Sequence, residues 1–218
     1  MDAERTPPDR IRISRLQEAQ LPALTEVEKT SAAMYQNLGA DASAWKPRTA
    51  ADIAALTKDH DVLVAEADHQ VAGYLAWRDE APGVARITQL AVHPDYQRFG
   101  VASRLLEALQ ESAGSHGLSH VVGHLQERAP WAAAFCRHAG LERAGEIVPE
   151  AVQRWREAQH TGDSGALSSP PAAGALVWMP IAHAPEPPDD EDDDSDESEA
   201  DGSLVDDDAP TPQHGSRD

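Results

Sequence analysis

Apolar and polar positions alternate in short blocks along the chain, each block closed by turn residues. Ile11-Arg12-Ile13-Ser14 alternates with the period of a half-buried strand. Across 17–38, Leu21, Leu24, Val27, Ala32 and Met34/Tyr35 recur at helical spacing, and Gly39 follows as a stop signal. A second helix is predicted over 49–57, with Thr49 as its cap and Asp52 in its first turn. Strands follow at 62–66 and 71–77. The short polar link Ala67-Asp68-His69-Gln70 makes them a hairpin. Pro82-Gly83 marks the next turn. A longer strand over 84–92 ends at His93-Pro94, because proline has no N–H to continue the pairing.

A helix over 100–114 puts Val101, Leu105, Leu106 and Leu109 on one face. The pattern then predicts a strand at 118–125 and a short helix over 130–139, with Pro130 in its first turn and Gly140 at its end. A strand at 141–147, a helix at 149–159 and a loop over 161–174 come next. The last strand is 175–181, where Pro180 favours an edge or terminal position. Strands at both ends with helices between them give an α/β or α+β sheet of about six to seven strands.

Charge divides the chain further. The formal net charge is −20, from 38 acidic and 18 basic residues. Fifteen of the acids and one of the bases lie in 184–218, which leaves a mildly acidic body of −6. The run Asp189-Asp-Glu-Asp-Asp-Asp-Ser-Asp-Glu buries too little apolar surface to fold and repels itself. The expected organisation is a loose arm at 1–9, one folded domain at 10–183, and a disordered acidic tail at 184–218 whose natural partner is basic. Acidity without clustered Lys/Arg excludes a nucleic-acid binder. The apolar runs are too short for a membrane span, and the first residues lack a signal core. A single cysteine, Cys136, gives no disulfide framework and fits the cytoplasm. No Cys/His cluster has metal spacing.

The chemistry concentrates after the strand at 84–92. There a short loop, Gln97-Arg98-Phe99-Gly100-Val101-Ala102, opens an amphipathic helix that continues through Ser103 and Arg104. Backbone N–H groups at a helix start have no internal acceptor, and the helix dipole adds positive character. Gly100 and Ala102 allow close approach, and Arg98 and Arg104 add charge. The ligand implied is a nucleotide-like diphosphate. The same loop is also read as an ordinary strand–turn–helix corner.

Gln97-x-x-Gly100-x-Ala102 after Leu90-Ala91-Val92-His93-Pro94 resembles the acetyl-CoA-binding motif of the GNAT superfamily of N-acetyltransferases. Pro130-Trp131-Ala-Ala-Ala-Phe135-Cys136-Arg-His-Ala-Gly140-Leu141 resembles a second segment of that family, about 30 residues on. The resemblance spans 11–181. It implies a mixed, mostly antiparallel sheet with helices on both faces and a splay between two parallel strands. It also implies that Leu90, Ala91 and Val92 pair with the pantetheine arm, and that the N–H groups from Arg98 to Ser103 hold the pyrophosphate. Acetyl-CoA is then the co-substrate, and a primary amine attacks it directly in a ternary complex. The oligomer is left open between monomer and homodimer.

The chain departs from the family where protons move. Gln89 stands where many members carry a glutamate base, Cys136 where a tyrosine often protonates the departing thiolate, and Ala132 where an asparagine is common. Gln89 is read either as a polar ligand to the substrate or a water, or as a satisfied strand glutamine. Cys136 is read either as a proton donor or as a small core residue. The remaining base candidates are Glu28, Glu66, His93, His120 and His124. His120, Val122 and His124 share one strand face, from which His124 would reach the reacting amine, unless it is simply a surface or core histidine. Glu28 is a substrate-binding candidate on the first helix, where a solvated face is the plain alternative. These departures motivate a second reading, an acyl-CoA-binding GNAT-fold sensor or partner-binding module with weak or no transferase activity.

Overall fold

In the computed structural model, residues 10–36, 47–126, 129–160 and 174–182 are described. The arm at 1–9, the loop at 161–173 and the acidic segment lie outside them.

The elements are β1 (Ile11–Arg15), a 3-10 turn (Glu18–Gln20), α1 (Leu21–Gln36), α2 (Ala50–Leu56), β2 (Asp61–Ala67), β3 (Gln70–Ala81) and β4 (Val84–Val92). A second 3-10 turn (Pro94–Tyr96) leads to α3 (Val101–Ser115), β5 (His120–Gln126), α4 (Pro130–His138), β6 (Glu142–Arg143), α5 (Glu150–His160) and β7 (Gly174–Pro180). The strands form one seven-stranded sheet in the order β1-β2-β3-β4-β5-β7-β6. Every neighbouring pair is antiparallel except β4–β5.

Local chemistry sets the boundaries. Thr49 caps α2 as predicted, and Asp52 makes it a capping box: the Thr49 hydroxyl accepts the Asp52 N–H, and the Asp52 carboxylate accepts the Thr49 N–H at 2.8 Å. The β2–β3 turn places Asp68 and His69 at φ 51° and 62°, the left-handed pair of a two-residue primed turn.

Alternation then sends successive residues to opposite faces. Leu63, Ala65, Leu75 and Trp77 pack with Val101, Leu105 and Leu109 of α3. Val62, Val64, Tyr74 and Ala76 pack with Leu24 and Val27 of α1 and Ile53 of α2. Farther along the sheet, Val84 and Val122 pack with Val152 and Trp155 of α5.

Four predicted elements differ. The strand expected at 71–77 runs on to Ala81, paired with β4 up to the Pro82-Gly83 turn. The strand expected at 141–147 is only Glu142–Arg143. Ala144 still donates to the Leu176 carbonyl at 2.9 Å, but the Gly145 carbonyl accepts from Arg156 of α5 at 2.9 Å, which draws the chain off the ladder. The strand expected from 118 begins at His120, because the Leu118 N–H turns back to Ala113 and closes the end of α3. The helix expected from 17 begins at Leu21, after the 3-10 turn. Pro180 is the last residue of β7, beyond the part that β6 covers.

Candidate active site

The site begins where two parallel strands part. β4 and β5 pair only at Val84↔His120, Ala85↔Val121 and Arg86↔Val122. Beyond Arg86 the register of β3 against β4 shifts at Ala76/Trp77, and the Thr88 hydroxyl donates to the Ala76 carbonyl at 3.1 Å. Such a bulge bends the strand and re-aims its residues. β5 meanwhile continues along β7 as far as Gln126. The upper half of β4 therefore has β3 on one side and no strand on the other.

Backbone alternation says which groups face that opening. The His93 N–H donates to the Ala72 carbonyl at 2.8 Å, so the backbones of Ala91 and Gln89 also turn toward β3. Leu90 and Val92 turn the other way. The Val92 carbonyl is taken by the Ser31 hydroxyl at 3.2 Å and by Gln97 Nε2 at 3.4 Å. Both backbone groups of Leu90 and the N–H of Val92 thus line the open edge. Ala91 differs from the expectation: its backbone serves β3, and its side chain is buried beneath α1.

The strand then delivers the chain into the loop before α3. Arg98 sits at φ 69° and Gly100 at φ 83°, both left-handed, and α3 starts without a side-chain cap. The Arg104 N–H reaches the Gly100 carbonyl at 3.0 Å. Among the described residues, nothing accepts the N–H groups of Arg98, Phe99, Gly100, Val101, Ala102 or Ser103. A Cβ built on Gly100 meets nothing within 4 Å, so the glycine is required by its φ, and the space over it is open. Buried Val101, Leu105 and Leu106 anchor the helix that presents these donors. Arg98 and Arg104 are exposed there, Arg104 with only a 3.8 Å contact to Glu107. The Gln97 side chain turns inward instead, to Val92 and the Met34 sulfur. Its contribution is to fix the loop against α1.

On the α1 face of β4 lies a polar cluster. Glu28 is 5% exposed, which corrects the solvated helix face. Its Oε1 accepts from the Tyr74 hydroxyl at 2.6 Å and from Gln89 Nε2 at 2.7 Å. Its Oε2 accepts the Arg48 N–H at 3.1 Å. Gln89 and Glu28, singled out separately in the sequence, are therefore one unit. Tyr74 completes it and was missed. Its hydroxyl is held protonated first by burial and then by the Glu28 charge and hydrogen bond, which push its pKa far up. The hairpin register was the available signal, since it sets Tyr74 opposite Ala91, two residues from Gln89.

His124 lies on β5 opposite Leu176, on the face that Val122 shares with Val84 and α5. Burial, then the charge of Arg86, lowers its pKa, so the imidazole is neutral at neutral pH. Burial also lowers that of His120, whose ring lies 6.0 Å from Trp178. His93 is occupied as a cap, its Nδ1 accepting the Asp95 N–H at 3.3 Å. Glu66, on β2 and two strands from β4, accepts from Gln20 Nε2 of the first 3-10 turn. Cys136 is buried in the core beside α3, and burial raises its thiol pKa. Where α1 ends and α4 begins, Tyr35 and Trp131 meet at 5.5 Å between ring centroids. Among the described residues no group of His, Cys, Asp and Glu has the geometry to hold a metal, and no helix is long and apolar enough to cross a membrane.

The comparisons agree with this fold. Solved structures similar to this one include the ribosomal-protein-S18-alanine N-acetyltransferase of Escherichia coli, at 19% identity and TM-score 0.55, covering 79% of this chain and 94% of that one. The PaiA N-acetyltransferase of Thermoplasma acidophilum, in complex with coenzyme A, matches at 15% identity and TM-score 0.59, covering 78% and 99%. Ard1 of Thermoplasma volcanium matches at 16% identity and TM-score 0.55, covering 78% and 97%. At such identities the likeness is one of fold. No curated protein matches the chain. Residues 23–141 match the family described as Acetyltransferase (GNAT) family, a stretch that holds the polar cluster, the open strand edge, the donor loop and α4. The chain belongs to the GNAT acetyltransferase family.

Proposed function

We propose that the chain transfers an acetyl group from acetyl-CoA to a primary amine, with both substrates bound at once. The observation that carries this is the three-pair limit of β4–β5: it opens a strand edge that runs directly into six N–H groups with no acceptor among the described residues. The N–H groups of residues 98–103 would hold the diphosphate, and the Leu90 and Val92 backbone groups facing the splay would hold the amide-bearing arm. Acetyl-CoA supplies an activated thioester. The chain positions it against the amine, which is where most of the acceleration arises.

The residues on the sheet face with α1 and α5 serve the amine. The amine attacks as its free base, and its nitrogen must lose one proton as the new bond forms. His124 is the acceptor for it: it stands on β5 past the last β4–β5 pair, on the Val122 face, and its neutral form is favoured there by burial. Cys136 is the weaker candidate for returning a proton to the thiolate, since it packs in the apolar core.

The test is release of CoA thiol from acetyl-CoA over a panel of primary amines. Turnover that disappears in Gly100→Trp supports the reading. Absence of turnover, with acetyl-CoA still bound by calorimetry, favours the acyl-CoA-binding module, the reading to which Gln89 and the buried Cys136 point. Absence of binding overturns the loop assignment.

A further inference from the structure

The amide of Gln89 is held in a defined orientation. Its neighbour at 2.7 Å is a carboxylate oxygen, which only accepts, and that oxygen already receives the Tyr74 hydroxyl. The group facing Glu28 is therefore the amide nitrogen, and the Gln89 carbonyl oxygen points away from it. Among the described residues nothing donates to that oxygen, and it is not sealed from solvent. It sits at the bulge, on the sheet face that carries His124 across the splay. Glu28, by contrast, is closed in by three donors.

We infer that the Gln89 carbonyl oxygen is the hydrogen-bond acceptor for the attacking amine, and that Glu28 is a positioning residue that acts through Gln89 without touching the substrate. This rests on the transferase reading and reassigns Glu28 from a substrate ligand to the group behind one. The buried carboxylate polarises the amide and strengthens its carbonyl as an acceptor. An amide carbonyl binds an N–H but does not take the proton. The amine nitrogen bonds to the thioester carbon, the carbon–sulfur bond breaks, and the thiolate leaves. The proton lost from nitrogen goes to the neutral His124 imidazole.

A free primary amine has two N–H groups, one for Gln89 and one for the base. A secondary amine has one and cannot serve both. The site therefore selects primary amines by donor count.

The experiment compares wild type, Glu28→Gln, Gln89→Met and the double variant, using the best primary amine of the panel and its N-methyl derivative. The expected result is a fall of 10- to 100-fold, roughly one hydrogen bond or more, in amine kcat/KM for each single variant. The acetyl-CoA KM should be unchanged, and the double variant should be no worse than Gln89→Met. The preference for the primary over the N-methyl amine should collapse in Gln89→Met. A side-chain amide proton signal of Gln89, identified by its loss in Gln89→Met, should shift in Glu28→Gln. If Glu28→Gln does not fold, Tyr74→Phe serves: the same signal moves downfield as the amide takes the shared oxygen alone. Additive losses, an unchanged amine preference or an unmoved signal overturn the proposal while the transferase reading stands. A panel without turnover overturns both, and the signal still reports the contact.

Discussion

Removing the charge of Glu80 should unfold this domain more readily than any surface substitution. Glu80 lies near the end of β3 with its side chain 3% exposed, and binds two arginines: Arg78 at 2.6 Å and Arg86 at 3.2 Å. Those side chains are 13% and 10% exposed. Arg86 also lies 6.0 Å from the Trp155 ring and already has an unpartnered Nε. Glu80→Gln keeps the shape and deletes the one buried negative charge between them. Asp59 reaches Arg78 at 3.8 Å but is 60% exposed, so it compensates little.

Breaking a buried pair on one side costs about 3–5 kcal/mol, a large share of the roughly 5–15 kcal/mol that holds a domain. At about 2–4 °C per kcal/mol for a domain of this size, the midpoint should fall by roughly 6–20 °C. Urea denaturation followed by Trp fluorescence gives the free energy directly. A loss under about 1 kcal/mol would show that solvent reaches the arginines and that the network adds little. Arg86 also forms the last β4–β5 pair, so loosening it should blur the point where the splay begins.

Three further outcomes follow from single observations. A Cβ at residue 73 would lie 2.7 Å from the Ala91 carbonyl, so Gly73→Ala should cost about 1–3 kcal/mol and weaken acetyl-CoA binding by displacing β4, as calorimetry would show. The folded protein disfavours the His124 imidazolium, so the unfolded chain takes up that proton first. Stability should therefore fall as pH drops below about 6.5 toward the lower folded value and be unaffected above it; the acid limb of kcat/KM should lie in the same window, and His124→Asn should remove both. Cys136→Ala should leave kcat within about twofold, because the thiol belongs to the core; a 100-fold loss in a steady-state assay would restore it as a proton donor.

Most of the strand and helix pattern was legible because it rests on local rules. The Thr49–Asp52 cap, the Asp68-His69 turn and the Gly100 corner each act over a few residues, and each stands where the pattern placed it. The strand expected at 141–147 was not legible. Its fate turns on Arg156 capturing the Gly145 carbonyl from another element. The donor loop was readable for the same local reason that caps are. The polar cluster was half readable: the hairpin register brings Tyr74 beside Gln89, but Glu28, 46 and 61 residues away, joins them only when α1 packs on the sheet. Glu28 lies four residues from both Leu24 and Ala32, so helical spacing sets it on the apolar stripe of α1. What the spacing does not show is the Tyr74 and Gln89 that satisfy its charge there.

The most direct measurement is a crystal structure with CoA bound. The expected result has phosphate oxygens about 3 Å from the N–H groups of residues 98–103, the arm against Leu90 and Val92 in the opening past Arg86, and Gln89 Oε1 facing the sulfur side of the splay. CoA bound elsewhere, or a β5 that zips against the upper half of β4 and closes the opening, would contradict it.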